Sequence, residues 1–133
     1  MQIAQAAPGA RILGMGHHQP ANEVTNADLI ARGVETTDEW IQSRVGIAAR
    51  RIALADESVV DMAEAAASKA IAASGVDVSD IDLVIVATCT MQTSVPNAAA
   101  QLATRLGISS PGAFDVNAAC AGWCGSSVFS NVS

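Results

Sequence analysis

The sequence predicts an α/β fold with a mostly parallel β-sheet. Residues 83–88 read LVIVAT, a continuous apolar run that is typical of a strand buried on both faces. Strand-like and helix-like segments alternate along the chain, as they do in βαβ units. Aromatic residues make up only 3% of the chain although 50% of its residues are hydrophobic, so the core has to be built from small aliphatic side chains.

Helices are predicted where a capping residue precedes an apolar pattern with helical spacing. They are expected at 26–32, 38–44, 58–74 and 97–106. The first two begin with the patterns Thr25-x-x-Asp28 and Thr36-x-x-Glu39, which are typical of capping boxes. Strands are predicted at 11–15, 47–53, 83–88 and 113–116.

Length, charge and cysteine content limit the class of protein. The 133 residues suit one ordinary domain at 11–133, preceded by a flexible tail at 1–10. A net charge of −6 argues against nucleic acid as a partner. Neither a membrane-spanning run nor a signal peptide is visible, so we expect no membrane association and a cytoplasmic location. Cys89, Cys120 and Cys124 are expected to be reduced thiols, and they make a weak case for a metal site.

The clearest candidate site is the string FDVNAACAGW at 114–123. A short strand runs into small residues and Cys120, and a helix-compatible stretch follows. This order would place the thiol near a helix N-terminus, where the backbone dipole favours the thiolate. The small neighbours leave room for an acyl chain beside the sulfur. On the residues alone, a nucleophilic cysteine and a buried structural cysteine both remain open.

Other polar residues are weaker candidates on their own. His17 and His18 could suggest a general base, but a solvated pair in a loop is the better interpretation. The only local basic cluster comprises Arg44, Arg50 and Arg51, and we expect the last two to be scattered surface cations.

Six segments of the chain resemble β-ketoacyl-acyl-carrier-protein synthase III, a thiolase-fold condensing enzyme. They are ILGMGHHQPANEVTNADL (12–29), TTDEWIQSRVGIAARRIA (36–53), the helix 58–74, DLVIVATCT (82–90), VPNAAAQLATRLGI (95–108) and AFDVNAACAGW (113–123). The DEWI-x-x-R-x-GI and AACAG strings together are highly specific. The resemblance implies a thiolase-like fold, of which this chain is the N-terminal half. The whole would be a five-layer αβαβα homodimer, truncated here before its C-terminal half.

The resemblance also implies an activity. Cys120 would accept an acyl group from acyl-coenzyme A, and its backbone N–H would form half of an oxyanion hole. Condensation with malonyl-acyl-carrier protein would then give a 3-oxoacyl product, with no metal and no cofactor. The catalytic His and Asn of the family come from the second half of the chain, so this segment alone is expected to be inactive. The alternatives are a priming acyl-transfer enzyme of a secondary-metabolite pathway and a dimerising module without chemistry.

Four further residues receive roles from the same resemblance. Trp40 would stack on the adenine of coenzyme A, Arg44 would pair with the same nucleotide, and Thr36 would lie at the mouth of the site. Val95 would reach across the homodimer interface and line the floor of the partner's acyl pocket. A valine there leaves more space than the bulky aromatic of some relatives, which predicts longer or branched primers.

Overall fold

The computed structural model describes residues 11–122, which fall into two compact units. One unit is His18–Ser58, and the other combines 11–17 with 59–122. The predicted tail at 1–10 and the end of the chain at 123–133, with Trp123 and Cys124, lie outside the described residues. The helices are α1 (Asn26–Ala31), α2 (Asp38–Val45), α3 (Val59–Ser74) and α4 (Ala98–Leu106), and the strands are β1 (Glu23–Thr25), β2 (Ala49–Arg51), β3 (Leu83–Ala87) and β4 (Gly112–Val116).

Helix starts in the unit His18–Ser58 follow its capping residues. The capping box predicted for α1 is present, because the Asp28 N–H donates to Thr25 Oγ1 (3.2 Å) and the Thr25 N–H donates to Asp28 Oδ2 (2.8 Å). The capping residue predicted for α2 is wrong by one position. Thr37 adopts an extended conformation and its hydroxyl accepts from the Trp40 N–H (3.1 Å), so Thr37 rather than Thr36 caps this helix.

A short antiparallel ladder completes this unit. β1 pairs with β2 so that Glu23 faces Arg51, and the strand predicted at 47–53 is thereby reduced to three residues. Val24 on β1 and Ile41 on α2 are buried and form its apolar core. Within this unit α1 packs on both β1 and α2, so it connects the ladder to the second helix.

The second unit contains the parallel sheet. β3 and β4 run parallel, with Leu83 opposite Gly112 and Ala87 opposite Val116, as the βαβ pattern predicted. α4, which connects the two strands, packs on them and on α3. The buried core residues are Val60, Val84, Val86, Ala98, Ala99, Leu102, Ala103 and Ile108. On β3, Val84 and Val86 are buried, whereas Leu83 and Ile85 are only half-buried by the described residues.

The strand predicted at 11–15 is absent from the structure. Gly14 and Gly16 instead lie directly on the backbone of α3, where a Cβ at position 16 would overlap the carbonyl oxygen of Ala66. Glycine permits this close approach because it has no side chain. Within residues 11–122 the segment pairs with no strand, and its apolar side chains Ile12 and Met15 stay exposed.

Candidate active site

Cys120 lies beyond the carboxyl end of β4. Residues 117 and 118 lead from the strand into a single turn of 3-10 helix, Ala119–Ala121, in which the Ala121 N–H donates to the Ala118 carbonyl (2.9 Å). A Cβ placed on Gly122 would lie 3.2 Å from the Cβ of Ala87, so this turn rests on the end of β3. Functional groups of parallel α/β sheets gather at this carboxyl edge.

The residue before the cysteine has a strained backbone. Ala119 has φ +43°, a left-handed conformation that costs a non-glycine residue of the order of 1 kcal/mol. The Cys120 side chain is exposed and its thiol is free. A sharp turn that displays an accessible thiol at a sheet edge has the geometry that a cysteine nucleophile needs. Among the described residues, Cys120 is exposed rather than buried.

Cys89 also lies at this edge of the sheet, a position that the sequence analysis did not assign to it. It is also exposed and free, and it follows the end of β3 by two residues. The parallel register of β3 and β4 brings the chain after each strand to the same end of the sheet. The signal was available in the sequence, since Cys89 directly follows the apolar run predicted as a buried strand.

Val95 lies in the same unit, in the loop that enters α4. Its side chain is 86% exposed, and its peptide bond to Pro96 is cis. Asn97 caps α4 by accepting from the Ala100 N–H (2.9 Å), and its amide donates to the Ala113 carbonyl of β4 (3.2 Å). The loop that presents Val95 is thus attached to the strand that precedes Cys120.

Trp40 and Arg44 form an exposed pair on α2. Trp40 is 58% exposed, and the guanidinium carbon of Arg44 lies 5.9 Å from its ring centroid, within the range of a cation–π contact. Glu35, Thr36, Thr37 and Trp40 line a shallow depression of about 220 Å³. The Thr36 hydroxyl is buried and makes no hydrogen bond to any described residue. Three of the predicted coenzyme A contacts therefore lie together in the unit His18–Ser58.

A buried asparagine supports that helix. Asn26 is 1% exposed, and its amide nitrogen donates to Asp38 Oδ1 (2.7 Å) at the start of α2 and to the Ile47 carbonyl (2.8 Å) just after it. Its amide oxygen accepts from the Arg50 guanidinium (2.7 Å). Hydrogen bonds from Asn26, and then from Gln42, hold the pKa of Asp38 below its usual range. Asn26 thus joins both ends of α2 to β2, a role that its place in the sequence did not reveal.

His18 and Arg50 are less exposed to solvent than the sequence predicted, whereas Arg51 lies at the surface as expected. His18 is half-buried and its Nε2 lies 2.7 Å from Glu57 Oε1, so it is no solvated loop residue. Arg50 is held by Asn26, and Arg51 pairs with Glu23 (2.8 Å) and donates to the Ala21 carbonyl. Arg50 is therefore bound by the buried Asn26, whereas Arg51 is a surface cation as predicted and takes part in an exposed ion pair.

Residues 11–122 offer neither a metal-binding cluster nor a membrane-spanning helix. No group of three or more His, Cys, Asp or Glu side chains in this range could hold a metal ion. No helix of this range combines the length and the apolar character needed to cross a membrane.

The parallel unit, with a free cysteine at the carboxyl edge of its strands, is an α/β arrangement, and comparison with solved structures shows that it is part of a thiolase-like fold. A 3-oxoacyl-[acyl-carrier-protein] synthase III from Aquifex aeolicus superposes with a TM-score of 0.86 at 38% identity, over 92% of this chain and 39% of that one. The priming β-ketosynthase of the R1128 polyketide pathway superposes with a TM-score of 0.85 at 40% identity, over 90% of this chain and 35% of that one.

Sequence comparison leads to the same family. The chain is 54% identical over 115 residues to β-ketoacyl-[acyl-carrier-protein] synthase III 2 of Streptomyces avermitilis, which is 86% of this chain and 36% of that protein. No protein-family model matches. The resemblance to synthase III is confirmed over the part of those proteins that this chain spans, which is about a third of their length.

Proposed function

We propose that this chain supplies the acyl-accepting cysteine and the coenzyme A contacts of a β-ketoacyl-acyl-carrier-protein synthase III-type enzyme. The observation that carries the proposal is the free, exposed thiol of Cys120 on a strained turn at the sheet edge, inside a chain 54% identical to a named synthase III. The thiol sulfur attacks the thioester carbonyl of acyl-coenzyme A. An S-acyl cysteine forms and the coenzyme A thiol leaves.

The second half of the reaction consumes that intermediate. Malonyl-acyl-carrier protein loses carbon dioxide, and the resulting carbanion attacks the acyl carbonyl on Cys120. The products are 3-oxoacyl-carrier protein and the free thiol. The resemblance assigns the His and Asn of this step to a part of the family's chain that lies beyond the segments matched here, and it assigns half of the oxyanion hole to the backbone N–H of Cys120.

The α2 surface would bind the nucleotide of coenzyme A. Trp40 offers an exposed ring for the adenine, since aromatic faces stack on bases without regard to sequence. Arg44 sits over the same ring and carries the positive charge that a nucleotide phosphate attracts. Thr36 would join this contact only after its side chain rotates, because its hydroxyl is buried in the structure.

Val95 would belong to a homodimer and would act on the partner's site. Its 86% exposure suits a residue that contacts another subunit. A valine would leave the acyl pocket deep enough for branched or longer primers. The likeness to a priming ketosynthase supports a second candidate function, the priming step of a polyketide or related pathway. A nucleophilic thiol has to stay reduced, which fits a reaction in the cytoplasm.

Acyl trapping tests the proposal. The complete gene product is incubated with radiolabelled acetyl- or isobutyryl-coenzyme A, and the label is mapped by peptide mass spectrometry and released with hydroxylamine. We expect label on Cys120, and none in Cys120→Ala. Cys89→Ala is the matched control, because Cys89 is equally free and lies at the same sheet edge, and it should label normally.

Two results would contradict the proposal. One is a wild-type protein that takes up no label, and the other is a Cys120→Ala variant that labels as well as Cys89→Ala. Comparison of acetyl-, isobutyryl- and longer acyl-coenzyme A then tests the primer. Val95→Phe is expected to restrict turnover to acetyl groups, and exclusive use of acetyl-coenzyme A by the wild type would refute the role of Val95.

A further inference from the structure

Asp115 of β4 ties the entrance of α4 to the sheet. Its Oδ2 accepts from the Ala98 N–H (2.9 Å) and its Oδ1 from the Ala99 N–H (2.8 Å). Both alanines have 0% exposure, so water cannot replace a lost acceptor at this helix end. The carboxylate therefore satisfies two buried donors that the helix itself leaves unpaired.

Asn97 provides a second tether beside it. The residue caps α4 through the Ala100 N–H and donates to the Ala113 carbonyl, two residues before Asp115 on the same strand. The start of α4 is thus held to β4 by three hydrogen bonds. Together Asp115 and Asn97 provide acceptors for the N–H groups of Ala98, Ala99 and Ala100, three of the donors that the start of a helix leaves unpaired.

The tether lies between two parts of the proposed site. Val95 precedes Asn97 by two residues, at the exposed tip of the loop. Cys120 follows Asp115 by five residues, on the turn that leaves the same strand. A shift of α4 along β4 would therefore move the Val95 loop relative to the sheet. The Cys120 turn, which leaves β4 and rests on β3, would stay in place.

We propose that Asp115 is a positioning residue, which holds the loop that carries Val95 to the strand that delivers Cys120 and thereby sets which acyl primers the protein accepts. This inference rests on the proposed function. The two hydrogen bonds that Asp115 accepts come from the start of α4 and not from the Cys120 turn. It acts through Val95, whose depth in the neighbouring acyl pocket depends on where α4 begins.

Asp115→Asn is the decisive variant. It keeps the size of the side chain but replaces one acceptor oxygen by an NH₂ group, which would face a buried N–H of Ala98 or Ala99. Loss of a hydrogen bond to a charged acceptor should speed exchange of these two amides about tenfold or more. Asp77→Asn is the matched control, because Asp77 also accepts a backbone N–H, from Ser79, in a turn away from the loop.

The experiment uses the complete gene product and two readouts. Amide exchange of Ala98 and Ala99 is followed by NMR, and the initial rates of acylation by acetyl- and isobutyryl-coenzyme A are measured on the same preparation. The ratio of the rates is insensitive to loss of folded protein, which lowers both equally. We expect Asp115→Asn to change the ratio by about tenfold, which is the discrimination that a pocket typically achieves for one methylene group. Asp77→Asn should leave the ratio unchanged.

A second variant covers the case in which Asp115→Asn does not fold. Asn97→Ser retains a good capping residue but cannot reach the Ala113 carbonyl, and it should change the ratio in the same direction. If the wild type is acylated but the folded variants show unchanged amide exchange or an unchanged ratio of rates, the role of Asp115 is overturned and the proposed function is not. A wild type that is not acylated at Cys120 refutes the proposed function, and the selectivity role fails with it.

Discussion

Replacement of Asn26 by alanine is expected to destabilise the unit His18–Ser58 by about 2.5 to 4 kcal/mol. The side chain is 1% exposed and makes three hydrogen bonds, to Asp38, Ile47 and Arg50. Counting only the last two, a neutral hydrogen bond contributes about 1 kcal/mol and one to a charged group about 1.5 to 3 kcal/mol. Alanine also leaves the Ile47 carbonyl and the Arg50 guanidinium without this partner.

The unfolding free energy is best measured by urea titration of the complete gene product, with hydrogen exchange of the α2 amides as a local probe. Asn22→Ala is the matched control. Asn22 belongs to the same unit and makes one exposed hydrogen bond, to the Ile52 carbonyl (3.3 Å), so its loss should cost less than about 0.5 kcal/mol. If the two variants were equally stable, the reasoning that makes Asn26 the support of α2 would be refuted.

Three further predictions concern the site and its support. Trp40→Ala should weaken coenzyme A binding roughly 5- to 150-fold in calorimetry while Trp40→Phe retains most of it, because stacking on a base is worth about 1 to 3 kcal/mol; equal affinities would contradict the stacking role. Gly16→Ala should lower stability by about 1 to 3 kcal/mol in thermal unfolding, since the new methyl group overlaps the backbone of α3, and an unchanged Tm would be the contrary result. The lowered pKa of Asp38, caused first by Asn26 and then by Gln42, stabilises the fold above about pH 4 and is lost as the pH falls through the lowered value. Asn26→Ala should therefore raise this pKa towards its usual range in a carboxyl NMR titration, and no rise would refute the assigned cause.

Local signals accounted for most of the secondary structure. Capping residues and apolar spacing predicted each of the four helices within residues 11–122 to within a residue or two, and the apolar run of β3 predicted the parallel sheet. These signals predict the helices and strands correctly because each depends on residues only a few positions apart in the chain. The strand predicted at 11–15 was wrong. This apolar segment packs on α3 through Gly14 and Gly16, and apolar composition alone does not distinguish such a segment from a strand.

The sequence by itself determined the family resemblance and the identity of Cys120 as the candidate nucleophile, since both depend on strings such as AACAG and DEWI that stand contiguous in the chain. Only the tertiary structure showed that the Cys120 thiol is exposed among the described residues, because exposure depends on how the turn after β4 meets β3. The same holds for the supports, Asn26 and Asp115. Their hydrogen-bond partners lie 12 to 24 residues and 16 to 17 residues away, and no local pattern encodes such pairings.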